Sequence, residues 1–132
     1  MTALSFFMTT LVVPDYDEAI AFYTGKMGFT LHEYSDLGGG KRWVVVGPEH
    51  GAKLLLAKAK GEAQQAAIGR QTGGRVGYFL HTDDFAATHA AYQAAGIIFT
   101  EEPRQETYGT VAVFADCYGN LWDLIEPKEH LA

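Results

Sequence analysis

Residues 11–23 read LVVPDYDEAIAFY, and residues 80–92 read LHTDDFAATHAAY. Laid on each other at an offset of 69, Leu11 meets Leu80, Asp15 meets Asp84, Tyr16 meets Phe85 and Tyr23 meets Tyr92. Each stretch runs out of an apolar segment, reaches an aspartate, and continues as apolar residues at helical spacing. An aspartate in that place accepts a hydrogen bond from the first free N–H groups of a helix. The pattern is therefore strand, cap, helix, written twice. Periodic self-similarity of this kind is read before any single residue.

Outward from Leu11, the segment Phe6–Val13 is rich in β-branched and aromatic residues and predicts a strand. Asp15 and Glu18 have the spacing of a capping box. Tyr16, Ala19, Ile20, Tyr23 and Met27 form one apolar helix face, and Gly28 stands where a helix stops. Three strands are predicted next, at Phe29–Tyr34, Lys41–Val46 and Ala52–Ala57, with turns at Ser35–Gly40 and Gly47–Gly51. The second half repeats the programme. Arg75–Thr82 is a strand. Asp84 caps a helix with the face Phe85, Thr88, Tyr92 and Ala95, and Gly96 ends it. Strands follow at Ile97–Glu101, Thr110–Ala115 and Asn120–Glu126. Past the helices the offset becomes 68, and Gly28 meets Gly96, Val45 meets Val113, Gly51 meets Gly119 and Leu56 meets Leu124.

The expected fold is α+β: two tandem βαβββ modules forming a curved mixed sheet around a cleft. Module 1 covers about 4–58 and module 2 about 75–128, within one domain spanning 1–132. Residues 59–74 link them, with a short helical turn expected around Ala63–Ile68. That connection is longer than most loops and is expected to cover a cleft. A concavity shared by two similar modules suits a small ligand.

Composition narrows the function classes. A net charge of −6 without a basic stripe argues against a phosphate backbone as partner, so no nucleic acid is expected. No apolar run reaches membrane-spanning length. Met1–Val13 lacks the basic start of a signal peptide and reads as the first strand. Cys117 is the only cysteine, so no internal disulfide can form, and a cytoplasmic place is expected.

The chain resembles the vicinal oxygen chelate superfamily, which includes glyoxalase I, bleomycin-resistance proteins and extradiol dioxygenases. The resemblance is carried by Leu11–Tyr23, Met27–Thr30 (MGFT), Ala94–Phe99 (AAGIIF) and above all Tyr108–Glu126 (YGTVAVFADCYGNLWDLIE). It implies the paired βαβββ fold and a homodimer. It also implies a divalent metal held by one residue on the first and one on the last strand of each module. Carried over, those positions are Met8, Leu55, Gly77 and Asp123. Only Asp123 is a ligand for a hard cation, so no cofactor and no conventional metal site are expected. His81 lies four residues past Gly77, roughly 13 Å along a strand, too far to replace it. His32, His50, His89 and His130 show no ligand spacing.

Other residues carry two readings each. Asp123 is a candidate catalytic acid/base or polar anchor if it faces the cleft, and otherwise a carboxylate paired with an arginine. His81 is a candidate general base, or a histidine hydrogen-bonded near the helix start. Arg104 suits a ligand carboxylate, or a salt bridge to nearby acids. Arg42 and Arg75 also stand out in an acidic chain. Trp43, Phe79, Tyr108 and Trp122 supply rings for stacking on a planar ligand, or fill the core. Gly38–Gly40 precedes a strand, so it is a hairpin and not a phosphate cradle. Cys117 has no positive neighbour and reads as incidental.

The expectation is a small-molecule-binding protein of the glyoxalase/bleomycin-resistance type without the usual metal. The Met8, Leu55, Gly77, Phe79, Trp43, Arg104 and Tyr108 side of the fold would contact the ligand. The alternative is a lyase, isomerase or dioxygenase using Asp123 or His81, or a metal completed by other ligands.

Overall fold

The computed structural model describes residues 2–128; His130 lies outside them. The chain forms two compact units that divide after Ile68.

The first unit contains β1 (Met8–Val13), α1 (Tyr16–Ile20) with a π-helical continuation (Ala21–Lys26), β2 (Thr30–Gly38), β3 (Lys41–Gly47), β4 (Lys53–Lys58) and α2 (Gly61–Ala67). The sheet order is β1-β4-β3-β2. β1 and β4 are parallel, and the other pairs are antiparallel. Asp15 caps α1 as expected, its Oδ2 accepting from the Glu18 N–H at 2.8 Å. One sheet face packs under the helix: Leu11, Val13, Val44, Val46, Leu54 and Leu56 are all buried, with Tyr16, Ala19 and Tyr23 from the helical segment.

Three local expectations are corrected. The first helix is not α-helical to its end. Met27 N–H reaches Phe22 C=O at 3.1 Å, the longer π-type bond, a distinction that an apolar period does not encode. The turn expected at Ser35–Gly40 is mostly strand. β2 continues to Gly38 because Ser35 and Asp36 find partners in Trp43 and Arg42. The reversal is left to Gly39 and Gly40, at φ of 63° and 81°, the conformation that a two-residue hairpin requires. Phe6 and Phe7 precede β1 and are exposed, so the first strand is shorter than predicted.

The second unit contains β5 (Val76–His81), α3 (Phe85–Ala94), β6 (Ile98–Phe99), β7 (Arg104–Glu106), β8 (Gly109–Ala115) and β9 (Leu121–Pro127). The order is β5-β9-β8-β6, with β7 also paired to β8. Again the first and last strands are parallel. Asp84 Oδ1 accepts from the Ala87 N–H at 3.1 Å, and Glu126 Oε1 takes the Phe85 N–H at 2.7 Å. Two carboxylates thus satisfy the start of α3, where the helix dipole favours negative charge. Tyr92, Phe114, Trp122 and Tyr78 make successive ring contacts on the helix-backed face, with centroids 5.0–6.0 Å apart. The predicted third-from-last strand, Ile97–Glu101, forms only at Ile98–Phe99. Strand β7 was not expected, since its sequence RQE has little strand preference.

The tight turn between β8 and β9 explains the motif FADCYGN. Buried Asp116 accepts from the Tyr118 and Asn120 N–H groups at 2.9 Å each and from Asn120 Nδ2 at 2.8 Å. Gly69 lies against this turn at φ +74°, and a Cβ there would sit 2.0 Å from the Tyr118 carbonyl oxygen.

Candidate functional site

Strand alternation puts residues of opposite parity on opposite sheet faces. In the second unit, Trp122, Leu124, Ala112 and Phe114 line the helix-backed face. The other face therefore receives Asp123 and Ile125 from β9, Val111 and Val113 from β8, and Phe79 and His81 from β5. Register places Phe79 on one side of Asp123 and Val113 on the other. The next row holds His81, Ile125, Val111 and then Arg104 of β7. Phe79 is 65% exposed, whereas Asp123 is only 8% exposed.

Asp123 is the anomaly of this face. Its Oδ1 is buried and has no hydrogen-bond partner among the described residues. A buried acceptor left unpaired costs free energy, and functional sites are where such a cost is tolerated. Burial pushes the Asp123 carboxyl above its ordinary value, the Arg104 charge pulls it down, and Glu101 pushes it up again. Desolvation dominates, so this carboxyl favours protonation more than an exposed one.

Arg104 lies on the same face but is occupied. Its Nε donates to Glu101 at 3.0 Å and its Nη1 to Glu106 at 2.6 Å. Glu101 first, and the Tyr108 side chain next, hold the Arg104 pKa above its ordinary value. Tyr108 itself is exposed, in the turn before β8. His81 is exposed, and its side chain makes no hydrogen bond among the described residues. The hydrogen bonds at the start of α3 come instead from Thr82, whose Oγ1 meets Thr88 Oγ1 at 2.8 Å and the Asp84 N–H at 3.1 Å.

Gly77 sits at a register break in β5, between Val76, which pairs with Leu121, and Tyr78, which pairs with Trp122, and the space beside it is taken by another segment. A Cβ there would sit 2.4 Å from Thr72 Cγ2. Thr72 is held in that rotamer by its Oγ1–H bond to the Arg75 carbonyl at 2.6 Å.

In the first unit the face away from the helix carries Met8 and Thr10 of β1, Leu55 of β4, and Val45 and Trp43 of β3. Leu55 pairs with Thr10 and with Val45. Met8, Leu55 and Trp43 are half-buried. Arg42 serves the opposite, helix-backed side: it bonds Asp17 at 2.7 Å and lies over the Tyr16 ring.

An open groove of about 560 Å³ lies elsewhere in the second unit, between α3 and β6, lined by His89, Gln93, Phe99 and Glu102 among others. It does not include Asp123. His89 is packed between the rings of Phe85 and Phe99. Among the described residues the groove has no unpaired buried polar side-chain atom, so the Asp123 face is the stronger candidate. Three residues that matter to it escaped the sequence reading: Glu101, Glu106 and Thr72. The run EEPRQE at 101–106 does carry a signal, an arginine flanked by acids. Thr72 carries none.

These residues do not fit a four-ligand divalent site. Met8 and Leu55 offer no hard donor, and the Gly77 position is filled by the Thr72 methyl group. Among the described residues no three His, Cys, Asp or Glu side chains are grouped as metal ligands.

A repeated strand–helix–sheet unit, with parallel first and last strands each time, defines a class of α+β proteins. Residues 5–124 match the Glyoxalase/Bleomycin resistance protein/Dioxygenase superfamily, and the chain belongs to that family. An uncharacterized protein of Shewanella frigidimarina (strain NCIMB 400) is 52% identical over 119 residues, covering 88% of each chain. The crystal structure of UcmS2 superposes with a TM-score of 0.82 at 32% identity, covering 95% of this chain and 99% of that one. That of TnmS3, an antibiotic binding protein from Streptomyces sp. CB03234, has a TM-score of 0.77 at 27% identity, covering 97% and 99%.

Proposed function

We propose that this chain is a small-molecule-binding member of its family that works without the usual four-ligand metal, holding its ligand against the helix-free face of the second unit. The observation that carries the reading is Asp123: nine-tenths buried, on a face with exposed Phe79, with one oxygen that has no partner among the described residues. Once the carboxyl turns toward the exposed face, a ligand group bonding to that oxygen recovers what folding leaves unmade. Phe79 offers a ring for a flat apolar body. Similarity to TnmS3, an antibiotic binding protein, supports a role in binding a small molecule. The family resemblance supports a homodimer, and the single cysteine supports a cytoplasmic setting.

The test is elemental analysis of protein purified without chelator. The expected result is no stoichiometric metal. Near-stoichiometric, tightly bound Ni, Zn, Fe or Mn would overturn the proposal.

One observation favours a second reading. A carboxyl with its pKa raised by burial is suited to general acid/base work, as in a lyase or isomerase, with His81 in the next row of the same face as a second group. On that reading Asp123→Ala abolishes a turnover that the wild type shows, and unchanged turnover rejects the role.

A further inference from the structure

We infer that the group a ligand presents to Asp123 is a hydrogen-bond donor, cationic or neutral, carried on an aromatic body, and that anions are rejected there. This inference rests on the proposal that the helix-free face of the second unit is the ligand site.

The chemistry of the face selects the donor. Asp123 Oδ1 is an acceptor with nothing to accept, so a ligand acceptor placed against it gains no bond and meets like polarity. The neighbouring charges do not reverse this. Arg104 is the cation acting on Asp123, and Glu101 and Glu106 already occupy its Nε and Nη1. Glu101 and Glu106 bring two carboxylates to that one guanidinium. A ligand carboxylate would therefore enter a site of surplus negative charge and leave the Asp123 oxygen unpaired. An ammonium or hydroxyl group pairs that oxygen and offsets the surplus, with its binding strengthened by the buried setting. The body of the ligand is set by what flanks Asp123: Phe79 on one strand and Val113 on the other, with Ile125 and Leu121 along β9. These are apolar, and Phe79 presents an uncovered ring.

The experiment uses the full chain and four probes of one size: 2-naphthylmethylammonium, 2-naphthol, 2-methoxynaphthalene and 2-naphthoate, titrated at pH 7 by calorimetry. Bonding to a buried charged acceptor predicts that the first two bind roughly tenfold or more tighter than 2-methoxynaphthalene. 2-Naphthoate binds most weakly. In Asp123→Leu the four affinities converge. Asp123→Asn, which keeps the side-chain shape, loses the preference for ammonium over carboxylate. 2-Naphthoate matching the ammonium probe, a preference that survives both substitutions, or failure of all four probes to bind overturns the inference. Binding without preference that Phe79→Ala still weakens leaves the site proposal standing. Binding that neither Phe79→Ala nor Asp123→Leu alters overturns the site proposal as well.

Discussion

Replacing Asp123 by leucine should make the protein more stable while removing its ligand anchor. The repeat supplies the precedent, because Leu55 holds the equivalent place on β4. Leucine keeps a branch at Cγ and has no polar atom to satisfy. The wild type leaves Oδ1 buried and unpaired, a condition that costs about 1–3 kcal/mol, and more when the group is charged. Burying the leucine side chain adds to the gain, and fitting its extra volume takes some back, about 1–3 kcal/mol when a core is already full. The net expectation is a gain of about 1–3 kcal/mol at pH 7, read as a shift of the urea midpoint at constant slope. The gain should depend on pH in a defined direction. Burial raises the folded-state pKa of Asp123 above the ordinary 3.8. Stability that the wild type draws from a protonated Asp123 is fully present below the unfolded value and is lost as pH rises through the folded one. The leucine variant therefore gains most at neutral pH, and its advantage shrinks as pH falls toward the unfolded value. Urea unfolding of both proteins at neutral and acid pH measures this. A leucine variant less stable than wild type at both, by an amount that does not change with pH, would refute the reasoning, since it would mean that the carboxylate is satisfied in solution.

Phe79→Ala should change stability by less than about 0.5 kcal/mol, because the ring is exposed. It should weaken 2-naphthylmethylammonium binding by up to about tenfold, the worth of one ring–ring contact; calorimetry measures both the fold change and its absence in an unrelated surface variant. Gly77→Ala should destabilise by about 1 kcal/mol, as the new Cβ displaces the Thr72 methyl and its hydrogen bond. Thr72→Ser removes that methyl while keeping the hydroxyl, so the double variant should recover most of the loss in a denaturant cycle. Gly69→Ala should cost about 2–5 kcal/mol, combining left-handed backbone with a clash against the Tyr118 carbonyl. Its thermal midpoint should fall accordingly, and no partner substitution will restore it, because the obstacle is backbone.

The extent of what could be read in advance follows the range of the interactions concerned. The Asp15 and Asp84 caps, the stops at Gly28 and Gly96, and the buried pair Tyr23 and Tyr92 were legible. Each depends on residues within a few positions. The FADCYGN turn belongs with them, since Asp116 bonds to groups two and four residues away. The misreadings occur where a distant segment decides. Ser35 and Asp36 look like a turn until β3 supplies partners for them. Arg104–Glu106 becomes a strand because β8 offers an edge, although its own residues prefer otherwise.

The candidate site divides the same way. The repeat puts Met8, Leu55, Gly77 and Asp123 at equivalent positions in the sequence, and leaves Asp123 as the one carboxylate among them. Spacing 3.3 Å per residue along a strand is local geometry, and sequence carries it. That Asp123 lacks a partner, that Arg104 is already taken by Glu101 and Glu106, and that Thr72 fills the place of a Gly77 side chain were decided only by the tertiary structure. Hydrogen bonding and burial are properties of what surrounds a side chain. Its surroundings come from chain segments whose approach no local pattern records.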